Sequence, residues 1–176
     1  MRDPTELEFE SWYRDQHLRV VALLSVVTGD DGAAAAAATE AFVRAYERWE
    51  RVRSLESPGR WLYTTALACA DRQDRWRWVR RRPRRPAAAP APATALALPP
   101  AMFAPEVWDA VRGLTRQERT VVALRYVLDL SESEVGQVMG LPRGAASTLL
   151  AVARRNVAAL ATAPEPDEQS EETRYG

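Results

Sequence analysis

Residues 83–100 read PRRPAAAPAPATALALPP, with six prolines in 18 positions. Proline lacks a backbone N–H and its ring collides with the preceding turn, so no helix runs through such a stretch and no inner strand accommodates it. The chain is thereby expected to divide into an N-terminal domain over 5–82, a Pro/Ala-rich linker over 83–100 and a C-terminal domain over 101–162. A semi-extended linker of this kind reaches at most about 55 Å, at about 3.1 Å per residue. It is either a simple spacer or a tether between modules that touch separated sites. In both cases the two halves are expected to be separable and to unfold independently.

Helical periodicity dominates on both sides, which predicts an all-α fold. Glu6 to Thr28 places Leu7, Trp12, Leu18, Val21, Leu24 and Val27 near one face and ends at Gly29, a natural C-cap. Asp30 or Asp31 can cap a second helix, which runs through six consecutive alanines, Ala33 to Ala38, to about Trp49. Ser54 to Gly59 reads as a loop, with Ser57 as N-cap and Pro58 at the first position of a third helix that reaches about Arg80.

Beyond the prolines, Pro105 to Arg112 starts a short helix. Thr115-Arg-Gln-Glu118 and Ser131-Glu-Ser-Glu134 each match S/T-x-x-E, the capping box that satisfies two orphan N–H groups at a helix start. The first opens a helix carrying Val121, Val122, Leu124, Tyr126 and Val127, the second a short helix through Val135, Val138 and Met139. Gly140-Leu141-Pro142 is a turn, and Arg143 to Ala161 is a last helix whose Ala146, Leu150, Ala153 and Val157 form its core stripe. A short helix, a tight glycine turn and a longer helix together predict a helix-turn-helix. Such a unit either lays the N-terminal residues of its second helix in a DNA groove or serves as a plain helical hairpin.

Net charge is zero, yet the charge is segregated. From Cys69 to Arg85 there are eight arginines against two aspartates, a net +6; from Ala163 to Gly176 there are five acids against one arginine, a net −4. The acidic tail, 163–176, is expected to be disordered. The basic stretch DRQDRWRWVRRRPRR interleaves Trp76 and Trp78 with arginines. That combination suits nucleic acid, with aromatic faces for bases and guanidinium groups for phosphates. It also suits a helix end with two buried tryptophans and a solvated arginine run. No lysine is present, a bias that GC-rich coding also produces.

A single cysteine, Cys69, and a single histidine, His17, allow neither an internal disulfide nor a metal cluster of ordinary spacing. The acidic N-terminus MRDPTELEFE has no apolar core segment and no apolar run approaches membrane-spanning length, which predicts a soluble, cytoplasmic protein. No Gly-rich phosphate loop, HExxH or nucleophile–base pattern is present, so neither catalysis nor a cofactor is expected.

The order of three segments resembles a known family. FESWYRDQHLRVVALLSVVTGD, EAFVRAYERW and SPGRWLYTTALACA with its basic end are similar to region two of the extracytoplasmic-function sigma factors. LTRQERTVVALRYVLDLSESEVGQVMGLPRG is similar to their region four. The resemblance implies a subunit that binds RNA polymerase core and recognises promoter −10 DNA with region two and −35 DNA with region four. An anti-sigma factor or another protein partner would also fit. It implies core-polymerase contacts at Glu40, Val43, Arg44 and Glu47. It places −10 contacts at the loop from Ser54 to Ser57 and at Arg72, Arg75, Trp76 and Arg77, and −35 contacts at Arg143, Ser147, Thr148 and Arg154.

The chain departs from that family where contacts are made. Members read close to AEDLVQEAF where this chain has AAAAATEAF, so the family's acids fall on Ala35 and Ala36, its glutamine on Thr39, and only Glu40 remains. Two core aliphatics become Ala37 and Ala38; the domain must close around smaller side chains or lose roughly 2–5 kcal/mol at each site. The family's asparagine in the third helix falls on Ala68, the recognition-helix lysine on Ser147, and a usual arginine or histidine on Leu149. The alternative is therefore a sigma-like protein that binds a partner or modulates transcription without initiating it. Leu149 and Val152, on the flank of the core stripe, are expected to pack against protein, whether the first domain, a second copy or a partner; the alternative is that they merely widen the stripe.

Overall fold

The structure, a computed structural model, describes residues 4–80 and 104–162. The Pro/Ala-rich linker, the arginines beyond position 80 and the acidic tail lie outside the described residues. Within them the chain is all helical: α1 (Pro4–Thr28), α2 (Asp31–Glu47), α3 (Trp49–Arg53), α4 (Pro58–Arg80), α5 (Pro105–Gly113), α6 (Arg116–Val122), α7 (Glu132–Met139) and α8 (Ala145–Ala161). A π-helical turn, Ala123–Val127, continues α6.

Local chemistry sets most of the helix ends. Gly29 leaves α1 at φ +66°, and the Asp30 carboxylate accepts the Ala33 N–H at 2.8 Å to start α2. Both capping boxes form. The Thr115 and Ser131 N–H groups donate to the Glu118 and Glu134 carboxylates, each at 2.8 Å, while the hydroxyls take the N–H groups of those glutamates. Gly140 closes α7 at φ +64°, where a side chain would be strained. Two boundaries differ from expectation. The second helix stops at Glu47 and restarts as α3, and the recognition helix starts at Ala145, which leaves Arg143 in the turn.

The alanine run is helical, and its role is packing. Ala33, Ala34, Ala37, Ala38, Ala41 and Ala45 are all buried where α2 lies between α1 and α4. Small facing residues let helix axes approach closely, so the core closes around Ala37 and Ala38, which are 0% and 1% exposed. At its other end the same layer is held by large rings. Phe9, Trp12 and Tyr13 of α1 meet Phe42 and Tyr46 of α2 and Trp49 of α3, with centroids 4.7–6.0 Å apart.

The two halves pack on one another. One apolar cluster runs from Val20, Leu23 and Val26 of α1 through Leu62 and Ala66 of α4 to Val121, Leu124 and Leu150 of the C-terminal half. Residues Val20 to Val27 are buried on every side of α1, because α2 and α4 cover one face and α6 with the π-helical turn covers another. The apolar run VVALLSVV is what a helix buried all round requires. A single-face reading of α1 therefore misplaces two residues: Leu7 and Leu18 are about half exposed, at 49% and 48%.

Candidate nucleic-acid interface

The helix-turn-helix is assembled from α7, the Gly140–Gly144 turn and α8. Ala146, Leu150 and Ala153 are buried and Val157 is half-buried, as the core stripe of α8 predicts. Leu149 is half-buried against the same cluster and α8 packs on α5, α6 and α7, so Leu149 widens the stripe within its own half. At the open end, Arg143, Ser147 and Thr148 are exposed. The Ser147 hydroxyl is bonded to the Glu132 carboxylate across the turn, and Thr148 donates back to the Gly144 carbonyl at 3.3 Å. Arg143 is left as the outward cation of this end. Farther along, the exposed Arg154 donates from Nε to the Tyr126 hydroxyl at 2.7 Å, with its guanidinium 5.7 Å from the ring centre. Tyr126 itself is 44% exposed, turned outward by the π-helical turn.

Glu118 ties this half together from inside. It is 6% exposed, accepts from the Thr115 N–H and hydroxyl and from the Asn156 amide of α8. Those donors, the Thr115 hydroxyl foremost, hold its carboxyl below the usual range. The Ser131 hydroxyl, with the Ser131 N–H behind it, does the same to Glu134.

On the N-terminal half, Val43 and Glu47 are exposed, and Glu40 and Arg44 are half-buried. Ala36, Glu40, Val43 and Glu47 follow i, i+4, i+7, i+11, one outward stripe of α2 that is short of charge at its start. Glu40 is engaged by Arg44 at 3.2 Å and by Arg72 of α4. The structure thus brings Arg72, expected at DNA, against a residue expected at polymerase. Ser54 is exposed and donates to the Arg51 carbonyl at 2.9 Å, whereas Ser57 caps α4 through the Arg60 N–H at 3.3 Å. Arg75 is exposed. Trp76 and Arg77 lie on α4, with side chains outside the described residues. Cys69 is fully buried, and burial raises its thiol pKa against the opposing pull of Arg44, which leaves it an unreactive core group.

Four arginines bridge the halves, and none of them stands out in the sequence. Arg116 Nη2 lies 2.7 Å from Asp71 Oδ1, and its other terminal nitrogen pairs with Asp74, both on α4. Arg119 donates to the carbonyls of Val27, Arg112 and Leu114 at 3.1, 3.2 and 2.8 Å. It thereby places a cation where α1 and α5 end, which the helix dipoles favour. Arg19 returns a bond to the Leu128 carbonyl at 2.8 Å, and Arg60 meets Gln137. The available signal is a pair of arginines three apart, one inside the capping box and one just after it, spaced to project from one side of α6.

Residues 105–157, which hold α5 to most of α8, match the family model for sigma-70, region 4. Over that stretch the chain is similar to sigma-70 region 4. The whole chain is also similar to a chain in the co-crystal structure of the sigma factor RpoE in complex with the anti-sigma factor NepR from Bartonella quintana. The TM-score is 0.66 at 16% identity, over 87% of this chain and 96% of that one, and at that identity the likeness establishes the fold. No curated protein matches in sequence. The region 4 match and the sigma-factor fold support the resemblance to the extracytoplasmic-function sigma factors. No helix among the described residues is long and apolar enough to cross a membrane.

Proposed function

We propose that this chain is an RNA polymerase sigma factor of the extracytoplasmic-function type, with two domains joined by the linker at 83–100. The observation that carries the reading is the region 4 helix-turn-helix, whose α8 N-terminus is exposed, set on a chain with the fold of a sigma factor. In this reading Arg143, Ser147 and Thr148 meet the −35 element, with Arg154 at the flanking phosphates. The loop Ser54 to Ser57 and Arg72, Arg75, Trp76 and Arg77 meet the −10 element. The α2 stripe of Glu40, Val43, Arg44 and Glu47 meets polymerase core. A protein partner of the anti-sigma kind also fits, since the similar RpoE chain was crystallised with one.

A second reading has its own support. Ser147 is occupied by Glu132, Glu40 by two arginines, and Ala35 and Ala36 expose methyl groups where the family carries acids. A sigma-like modulator that binds polymerase or a partner without initiating would show this pattern. Run-off transcription with purified core and promoter DNA melted in advance separates the two. Specific transcripts are expected for the initiator; binding to core with no transcript would leave only the modulator.

A further inference from the structure

The first turn of α8 carries two polar side chains, Ser147 and Thr148, and the hydroxyl proton of each is engaged. Ser147 donates to Oε2 of Glu132 and Thr148 to the Gly144 carbonyl, so both hydroxyl oxygens are left to accept. Glu132 is the first residue of α7 and is exposed; the bond from Ser147 is its carboxylate's one partner among the described residues. It shares a cleft between α7 and the start of α8 with Ser133, Gln137, Arg143 and Ser147. A carboxylate therefore stands at the end of the helix-turn-helix that the −35 reading lays against DNA, with Arg143 as the cation of the same cleft.

We propose that Glu132, held by Ser147, is a specificity-determining residue of the −35 site and selects a cytosine in the major groove. The proposal rests on the −35 contact assigned above to this end of α8. The direction of the hydrogen bonds carries it. An ionised carboxylate only accepts, and the major-groove edges of the bases differ in what they offer. Guanine shows two acceptors, N7 and O6, and thymine shows O4 beside its methyl group. Adenine offers its N6 amine next to the acceptor N7, whereas cytosine alone offers an amine, N4, with no acceptor beside it. Ser147 fixes Oε2 of Glu132 and leaves Oε1 to receive that amine. Neither Ser147 nor Thr148 can turn a proton toward a guanine or thymine without giving up its present partner. The negative charge also works against every phosphate nearby, so it lowers affinity for all duplexes and lowers it least where a cytosine meets it. Selection here penalises the wrong base, while Arg143 supplies attraction that is indifferent to sequence.

The test is a base-preference measurement. The full chain, alone and with polymerase core, is offered duplexes with a randomised stretch, and the enriched sequence is rebuilt with each base at each position. One position should favour cytosine by about five- to a hundredfold, the span of a single base contact. Glu132→Gln keeps the shape and adds a donor. The preference at that position should then move to adenine, whose N6 and N7 a carboxamide matches, and every duplex should bind more tightly. Ser147→Ala frees the carboxylate and should shrink the cytosine preference without moving it to another base; it serves alone if Glu132→Gln melts early. An enriched sequence with no such cytosine, or identical preferences in the wild type and Glu132→Gln, would overturn the proposal and leave −35 recognition standing. Enrichment of no sequence in either form would remove −35 recognition and the proposal with it.

Discussion

The two halves of this molecule became recognisable by different routes. In the C-terminal half, family character sits in local chemistry: two capping boxes, a left-handed glycine at the turn and a buried glutamate that joins α6 to α8. Each of these needs a particular side chain at a particular position, and residues 105–157 match a family model. In the N-terminal half, the likeness sits in how three helices stack. Alanine satisfies that stacking nearly as well as the larger aliphatics, provided the helices move closer. The likeness there is carried by shape, at 16% identity along the chain. Polar caps constrain sequence more tightly than helix packing does, because a missing cap leaves an orphan donor while a smaller core residue can be followed by its neighbours.

The sharpest test of that contrast is overpacking. Ala34 and Ala38, 0% and 1% exposed, stand where helices meet at alanine distance. Ala34→Leu with Ala38→Leu should destabilise the chain by about 2–6 kcal/mol, at 1–3 per overpacked site. Chemical denaturation followed by circular dichroism reads the loss. An unchanged midpoint would mean that α2 has room for larger aliphatics and that close approach does not hold this half.

The C-terminal half should fail through its polar network instead. Glu118→Ala leaves the Thr115 N–H and the Asn156 amide without their acceptor, for a loss of about 1–3 kcal/mol. Acid should act on the same groups. Glu118 and Glu134 are both held below the ordinary value of 4.5, so each favours the folded state while ionised. That contribution is complete above the unfolded pKa and is lost as pH falls through the lower folded value. Urea midpoints should therefore drop below about pH 4.5, and the double variant Glu118→Gln with Glu134→Gln should flatten that slope. A slope unchanged in the double variant would assign acid sensitivity to other carboxylates.

A smaller loss is expected at the second box. Ser131→Ala removes the hydroxyl that accepts the Glu134 N–H at 3.3 Å and should cost about 0.5–2 kcal/mol. Ser131→Gly should recover most of it, since glycine is itself tolerated at an N-cap. Equal losses for both would show that the hydroxyl's bond to the Glu134 carboxylate, more than the cap, holds the start of α7.

Legibility followed the same division. Both capping boxes, the Gly140 turn, the Asp30 cap and the α8 core stripe could be read directly, since each is encoded within a few adjacent residues. The docking of the halves could not, because it depends on which faces of α1 and α6 are left uncovered after each has packed locally. The run VVALLSVV holds that information, but its period also fits one face of an amphipathic helix. Arg116 and Arg119 acquire a role only once α4 and the end of α1 lie beside them. Among the expected contact residues, Arg143, Val43 and Arg75 are exposed, while Arg72 and Ser147 already have intramolecular partners.

The smallest effect on stability, and the most informative one for function, is expected on the blank start of the α2 stripe. Ala35 and Ala36 are exposed, so Ala35→Glu with Ala36→Asp should change stability by no more than about 0.5 kcal/mol. Acids near the first turns of a helix also lie on the favourable side of its dipole. If this stripe meets polymerase, the two acids lead into Glu40, Val43 and Glu47 and should tighten core binding by about two- to fivefold per charge, the 0.5–1 kcal/mol of an exposed ion pair. An acid at Ala151, also exposed and on α8, tests whether added charge alone does the same. Tighter binding from the α2 pair and none from Ala151→Glu would mean that the alanines replaced a working surface. Equal effects from both sites would mean that general electrostatic attraction is at work, and the stripe would lose its claim to the contact.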